Sequence, residues 1–274
     1  MYHRLISHFH SPRYTQRVQK FGENRCHPEE RSARKARHNW IVWLPYHTQN
    51  MTAIPLPKSK RILIVGAGGF GREVLQWARD AWPAQAGLIA GFLSADADRL
   101  HNSGCNLPIL ADPTVYIPQP GDGLVLAIGI IEIRRRVAES LASRGGEFLT
   151  LIHPTAIVAP TATVGAGSIV CPYSILSDST SIGRCVLLNY HASLGHDASA
   201  GDHAVLSPYA SLGGHAHIAE DVFMGLHASV GPGKRVGART KISANSCALC
   251  DVPADSIIFG VPGRMGRKVT LHNS

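Results

Sequence analysis

Aliphatic residues recur at every sixth position through the second half of the chain. Stepping by six from Ile152, fifteen of seventeen positions are Val, Ile, Leu or Met, and Ala200 and Ala248 are the other two. The residue two places before each of them is Ala, Ser, Thr or Val, except Lys234. An α-helix turns every 3.6 residues, so a stripe with a period of six would spiral around its axis. The pattern instead predicts short parallel strands wound into a β-helix, with one large aliphatic side chain per side pointing inward.

A strand, a glycine-rich turn and a helix are predicted earlier in the chain. Residues 61–65 are apolar, residues 66–71 read GAGGFG, and residues 72–79 have a helical pattern. In this context glycines let the backbone approach a phosphate, and the helix N-terminus offers N–H donors to the anion. Further strands are predicted at 88–93 and 124–128, and a helix at 132–143. The segment between Met51 and the β-helix is too short for a full dinucleotide-binding domain, but it is long enough for a small mononucleotide-binding fold. The alternative is a glycine turn that only packs the helix on the sheet.

Most of the net charge of +8 lies in the first fifty residues, which carry nine Lys or Arg and three Glu. The basic balance therefore says little about the folded body, and no nucleic-acid partner is predicted. The leader has no apolar run of signal-peptide or membrane-spanning length, so membrane insertion is not expected. Three interpretations stay open: a disordered basic arm, a targeting segment, or translated upstream sequence. We favour the first and the last, with Met51 as the natural start.

The cysteines and histidines do not form a metal-binding pattern. The six cysteines are scattered, and the close pair Cys247 and Cys250 has no second pair beside it, so small residues tolerated in the walls are the better account. Four histidines recur every twelve residues, which places successive members on different sides of a triangular coil. We expect no metal, and a reducing, cytoplasmic compartment. Those histidines are His191, His203, His215 and His227.

The repeat over residues 150–264 resembles the left-handed β-helix of the hexapeptide-repeat acyltransferases, in which three hexads make one triangular coil. With the preceding domain, residues 60–265 resemble the bacterial sugar O- and N-acetyltransferases of the sialic acid and PglD/NeuD type. The matching stretches are IVGAGGFGRE at 64–73, GFL at 91–93, AIG at 127–129, EIR at 132–134, LIHP at 151–154, residues 189–202, and GVPGR at 260–264. The fold class expected is a small Rossmann-like α/β domain followed by an all-β left-handed parallel β-helix. The expected segments are a leader at 1–59, the Rossmann-like domain at 60–148, the β-helix at 149–253 and a C-terminal tail at 254–274.

Gly195, His196 and Asp197 are the candidate catalytic segment. Acetyl transfer from a thioester needs a base to take the proton of the attacking group, and a neutral imidazole suits this near pH 7. The resemblance implies that His196 is this base and that Asp197 raises its basicity. His196 is two residues past the inward Leu194, so it is expected to project outward near a corner. A coil of three hexads places Gly214 one coil above His196 and Asp178 one coil below. Two interpretations of Asp178 stay open: a hydrogen bond to the imidazole from below, or a solvated turn residue, which we favour.

The resemblance also implies two ligands and an assembly. Acetyl-CoA is expected in a groove between two β-helices of a homotrimer, and the nucleotide-linked sugar at the glycine loop. The cofactor-binding candidates are Gly214, Leu226 and Ala244. The substrate-binding candidates are Gly68, Gly69, Phe70 and Gly129.

The chain departs from the family pattern in two places. Many members have a second histidine where this chain has Val205, and a pair of acids where it has Ser94 and Ala95. A second active-site histidine and a uridine preference are therefore unsupported. The sequence predicts an acetyl-CoA-dependent acetyltransferase of an amino or hydroxy sugar in surface-glycan biosynthesis. The alternatives are a hexapeptide acyltransferase of serine or another small metabolite, and a non-catalytic β-helix scaffold or sugar-nucleotide sensor.

Overall fold

The structure, a computed structural model, describes residues 59–267. The predicted leader lies outside the described residues apart from Ser59. Within the described part of the chain, no helix is long and apolar enough to cross a membrane.

The N-terminal domain contains β1 Arg61–Val65, α1 Gly69–Ala81, a 3₁₀-helix Pro83–Leu88, β2 Ile89–Leu93, β3 Ile109–Ala111, β4 Asp122–Leu126, α2 Ile131–Ser143 and β5 Glu147–Phe148. Its five strands form a parallel sheet with strand order β3-β2-β1-β4-β5. Helix α1 joins β1 to β2 and α2 joins β4 to β5, so the sequence prediction of a small Rossmann-like domain is confirmed. Residues 62–65 of β1 are fully buried, because apolar side chains cover both faces of this central strand.

The second domain is a parallel β-helix with three walls. Wall 1 contains β6 Leu151–Ile152, β9 Ile169–Val170, β12 Leu187–Leu188, β15 Val205–Leu206, β18 Phe223–Met224, β21 Lys241–Ile242, β23 Ser256–Phe259 and β24 Arg264–Arg267. Wall 2 contains β7 Ile157–Val158, β10 Ile175–Leu176, β13 Ser193–Leu194, β16 Ser211–Leu212, β19 Ser229–Val230 and β22 Cys247–Ala248. Wall 3 contains β8 Thr163–Val164, β11 Ser181–Ile182, β14 Ser199–Ala200, β17 His217–Ile218 and β20 Arg235–Val236.

The wall registers confirm the predicted coil of three hexads. Ser193 pairs with Ser211 and Leu194 with Leu212, and the same offset holds in the other walls. The second residue of each short strand points into a continuous aliphatic core, while buried Ala residues fill the corners. The predicted fold class is thereby confirmed. Strands β23 and β24 extend wall 1, so much of the segment predicted as a C-terminal tail belongs to that wall.

The N-terminal domain covers the outer face of wall 1. The outward side chains of its first four strands, Leu151, Ile169, Leu187 and Val205, are buried in one cluster with residues of α1 and β1. Two polar contacts fix how the domain is placed along the β-helix. Asp80, near the end of α1, lies 3.4 Å from His153 in the first coil. Arg135, the fifth residue of α2, forms an ion pair with Asp221 in the fourth coil, counting the coils from β6.

These contacts set the level of the substrate edge of the sheet. In a parallel sheet the helices start at the carboxyl ends of the strands, which is where ligands bind in open α/β folds. Arg134 and Arg135, near the start of α2, reach Cys185 and Asp221, which lie two coils apart, so that edge lies level with the middle coils of wall 1.

Arg134 joins the two domains from a fully buried position. Its Nε donates to the carbonyl of Cys185 at 2.9 Å, and its Nη1 donates to the carbonyls of Leu126 and Ile128. Burial lowers the pKa of Arg134 to about 10. The guanidinium thereby links the end of β4 and the loop after it to the β-helix.

Candidate active site

His196 and Asp197 lie in the turn that joins wall 2 to wall 3. They follow β13, whose Leu194 points inward, and so they project outward as the hexad register predicts. Asp197 has a left-handed φ of +58°, as the second turn residue of most coils does. The His196 side chain is 61% exposed, so a reactant can reach it from solvent.

The Asp197 carboxylate orients the imidazole of His196. Nδ1 of His196 lies 2.8 Å from Oδ2 of Asp197. A carboxylate accepts hydrogen bonds, so Nδ1 is the donor, and in the neutral tautomer Nε2 is the nitrogen with the lone pair. The hydrogen bond from His196, helped by the nearby charge of His215, holds the pKa of Asp197 below its usual range. The pair therefore presents Nε2 as the nitrogen available to a reactant, with the Asp197 carboxylate against Nδ1.

The free Nε2 atom lies over Gly214, one coil further along. A Cβ at residue 214 would lie 2.6 Å from Nε2 of His196 and 2.8 Å from its Cε1. Only a glycine leaves this space open. The predicted stacking of Gly214 on His196 is present, and the gap is of the kind that an extended acyl chain could use.

His215 is a neighbour of this pair that sequence reasoning missed. Its Nε2 lies 3.7 Å from Oδ2 of Asp197, and its ring meets that of His196 edge to face at a centroid distance of 4.9 Å. The signal was present, because His215 follows Asp197 by three hexads, which is one full coil. The three side chains are close enough to reach one cation. The hydrogen bond between His196 and Asp197 already accounts for their approach, and the expectation of no metal stays a prediction.

Leu226 and Ala244 lie at a different corner from Gly214. They occupy the turns between walls 1 and 2, one coil apart, and both are exposed. Wall 2 separates this corner from the His196 corner of the same chain. The three predicted cofactor-binding residues therefore do not meet within one chain, and could line one groove only if a second copy supplied the other corner.

The glycine loop follows β1 at the substrate edge of the N-terminal domain. Gly66 has φ of +111°, and a Cβ there would lie 2.5 Å from the carbonyl oxygen of Ala127. Gly68 and Gly69 lie at the start of α1, and Gly129 follows the neighbouring strand β4. The structure thus brings these three predicted residues to one edge. Phe70 is half-buried and packs edge-on against Trp77 at 5.9 Å.

Two arginines that were not predicted border this loop. A Cβ at Gly68 would lie 3.8 Å from Nη2 of Arg99, and one at Gly69 would lie 4.0 Å from Nη2 of Arg72. Arg72 follows the glycines in the sequence and could have been suspected. Arg99 belongs to a connection without periodicity, and no pattern placed it here.

The contacts of Asp178 and Val205 lie away from His196. The Asp178 carboxylate accepts hydrogen bonds from the hydroxyls of Thr161 and Ser179, so the suggested hydrogen bond to His196 is absent among the contacts of the described residues. Val205 is buried on wall 1 under the N-terminal domain and is remote from the His196 corner of its own chain.

Comparison with known proteins agrees with both domains. Residues 61–141 match the family described as the PglD N-terminal domain. The chain is 29% identical over 123 residues to GDP-perosamine N-acetyltransferase of Escherichia coli O157:H7, covering 44% of this chain and 55% of the relative. It is 30% identical over 113 residues to UDP-N-acetylbacillosamine N-acetyltransferase of Bacillus subtilis (strain 168), covering 40% and 51%. The matched part of the chain thus spans about half the length of these curated relatives.

Solved structures match over a larger share. PerB from Caulobacter crescentus, in complex with CoA and GDP-perosamine, has a TM-score of 0.66 at 26% identity, covering 75% of this chain and 97% of that one. The acetyltransferase domain of PglB from Neisseria gonorrhoeae FA1090 has a TM-score of 0.67 at 27% identity, covering 75% and 99%. The resemblance seen in the sequence is confirmed: residues 61–141 match the PglD N-terminal domain family, and the fold is similar to those of PerB and the acetyltransferase domain of PglB.

Proposed function

We propose that the protein is an acetyl-CoA-dependent N-acetyltransferase of a nucleotide-linked amino sugar. The observation that carries the proposal is the arrangement of His196, whose Nδ1 is held by Asp197 while Nε2 faces the open space at Gly214. The relatives support the substrate class, since both curated proteins are named as N-acetyltransferases of amino sugars. PerB was solved with CoA and GDP-perosamine, which supports the same pair of ligands here.

In the proposed reaction the sugar amine attacks the thioester carbonyl while Nε2 of His196 takes its proton. A carbon–nitrogen bond forms, the carbon–sulfur bond breaks, and the CoA thiolate leaves and takes up a proton. Asp197 stabilises the imidazolium that forms, because its charge lies against Nδ1. A backbone N–H near Gly214 is our candidate donor to the oxyanion. Transfer is direct, within a complex of both substrates.

In this proposal the glycine loop binds the nucleotide and the β-helix corner binds acetyl-CoA. Gly68, Gly69 and Gly129 hold the nucleotide at the start of α1, where backbone N–H groups favour an anion. Gly214 of one chain and Leu226 and Ala244 of the next line the acetyl-CoA groove of a homotrimer. We place the reaction in surface-glycan biosynthesis because its products would be acetylated nucleotide sugars.

The test is a substrate screen with the full chain. Acetyl-CoA is supplied with GDP-, UDP- and dTDP-linked amino sugars, and thiol release is followed together with the mass of the product. Acetylation of an amino-sugar nucleotide is the expected result. Transfer to serine but to no sugar would favour another hexapeptide acyltransferase, and a chain that binds no acetyl-CoA would favour a scaffold or sensor.

A further inference from the structure

Arg99 places a guanidinium beside the glycine loop. Its Nη2 and Nε lie 3.8 and 3.9 Å from the position of a Cβ on Gly68. Its acidic neighbour Asp96 is 4.0 Å away, and the Arg99 side chain is 58% exposed. An ion pair this long and this exposed is weak, so the guanidinium can turn to an anion at the loop.

The outer face of wall 1 becomes uncovered at the level of this loop. The outward residues of the first four strands are apolar and buried, as described above. The next one, Phe223, is only partly buried, and it packs on the same hydrophobic cluster as Phe70 of the glycine loop. Asp221, two residues before Phe223, forms an ion pair with Arg135 near the start of α2. Phe223 therefore borders the substrate edge of the N-terminal domain.

Lys241 follows Phe223 in the same column. The two residues pair in neighbouring strands, so they lie one coil apart, about 4.8 Å. Lys241 is exposed, and its Nζ lies 5.7 Å from the centre of the Phe223 ring. Across residues 59–267 it forms no ion pair with a carboxylate. It is the first charged residue of a column that is otherwise apolar up to this level.

We propose that Arg99 and Lys241 bind the diphosphate of the nucleotide-linked sugar, so that both domains hold the substrate. The inference rests on the proposed function and adds to it two residues of substrate recognition. Arg99 can share two phosphate oxygens through its planar fork, and Lys241 adds a compact charge from the opposite side. The glycines and the start of α1 then supply N–H donors between the two cations.

The test compares ligand affinities by calorimetry on the full chain. Lys241→Met keeps the aliphatic stem over Phe223 and removes the charge. Arg235→Met is the matched control, because Arg235 is an exposed cation one hexad before Lys241 but lies on wall 3. The probes are GDP, UDP and dTDP, with acetyl-CoA as a check on the fold. We expect Lys241→Met and Arg99→Met each to raise the dissociation constant for the nucleoside diphosphate that binds by about tenfold, as for loss of a charged hydrogen bond. Arg235→Met should change it less than about twofold.

The other outcomes separate this inference from the proposed function. Unchanged nucleoside diphosphate affinity in Lys241→Met would overturn the role of Lys241 and leave the proposed function in place. Weakened acetyl-CoA binding with unchanged nucleoside diphosphate binding would assign Lys241 to the other substrate, and so would also overturn the inference. A chain that binds none of the three nucleoside diphosphates would overturn both proposals.

Discussion

Nε2 of His196 lies over Gly214, in the space that a side chain at residue 214 would fill. The two residues are three hexads apart in the sequence and one coil apart in the β-helix. Access to the proposed base therefore depends on Gly214, a residue with no side chain and hence no reactive group.

Replacing His196 by alanine removes the proposed base. We expect turnover to fall by roughly 10²–10⁴-fold, the usual contribution of general base catalysis, with little change in acetyl-CoA affinity. Thiol-release kinetics and calorimetry measure the two quantities. His101→Ala, at an exposed histidine of the N-terminal domain, is the control. Near-normal turnover in His196→Ala would remove this residue from the mechanism.

Asp197→Asn keeps a hydrogen-bond acceptor for Nδ1 and removes the charge. The pKa of Asp197 is below its usual range, so the native side chain is ionised at neutral pH and stabilises the imidazolium. We expect a smaller loss of turnover than in His196→Ala, roughly tenfold, or about 1.4 kcal/mol of transition-state stabilisation. A loss as large as that of His196→Ala would mean that Asp197 does more than tune the base.

Gly214→Ala tests the open space beside Nε2. The added methyl group would lie 2.6 Å from Nε2, so the imidazole must move. Gly214 does not have a left-handed φ, so alanine strains no backbone there. We expect kcat to fall about tenfold without loss of stability, and Gly214→Trp to block acetyl-CoA altogether. Gly87→Ala, where a Cβ meets no atom within 4 Å, is the control. Normal acetyl-CoA affinity in Gly214→Trp would show that the channel lies elsewhere.

The repeat made the β-helix and the Gly214 contact predictable. Each side of the coil has six residues and needs one inward aliphatic residue, so aliphatic residues recur with a period of six in the sequence. Once a coil is three hexads, Gly214 must lie over His196. The same arithmetic would have found His215 beside Asp197.

Other contacts do not follow from any sequence repeat. Arg99 reaches the glycine loop because of the path of the irregular connection between β2 and β3. Arg134 lies on an amphipathic helix, where an arginine is normally expected to face solvent. Packing against the β-helix buries this side chain and supplies the Cys185 carbonyl as its hydrogen-bond acceptor. Such contacts appear only when two separately folded segments pack together.

His203 predicts how stability depends on pH. Burial lowers its pKa below the ordinary 6.5, against the opposing charges of Asp221 and Asp202, and the nearby Arg134 and Arg135 lower it further. The folded chain then binds this proton less readily than the unfolded chain. The contribution of neutral His203 to the free energy of unfolding is therefore complete above pH 6.5. It is lost as the pH falls from 6.5 through the pKa of His203 in the folded chain.

The variant His203→Gln cannot take up the proton. We expect its free energy of unfolding to change less than that of the unaltered chain between about pH 7.5 and pH 5.5. Urea titrations at several pH values measure this, and His101→Gln is the exposed control. Equal pH dependence in both chains would show that His203 is protonated as easily in the fold as in the unfolded chain.

The homotrimer prediction follows from where the groove residues lie. Gly214 and Leu226 flank opposite sides of wall 2, whose outer face carries exposed Ile157 and Ile175 and then small serines. A cyclic trimer would bring the His196 corner of each chain to the Leu226 corner of the next. Light scattering should therefore report three chains. Leu226→Asp should prevent acetyl-CoA binding, just as His196→Ala removes most of the turnover.

Mixing these two inactive chains tests the shared site directly. In a mixed trimer, one of the three junctions joins an intact His196 corner to an intact Leu226 corner. Random assembly of equal amounts should then restore roughly a quarter of the normal activity. Mixing His196→Ala with the double variant His196→Ala/Leu226→Asp is the control, because no junction in it has an intact His196. Mixed trimers that remain inactive, or a fully active monomer of the unaltered chain, would place the whole site within one chain, and the predicted groove between copies would be wrong.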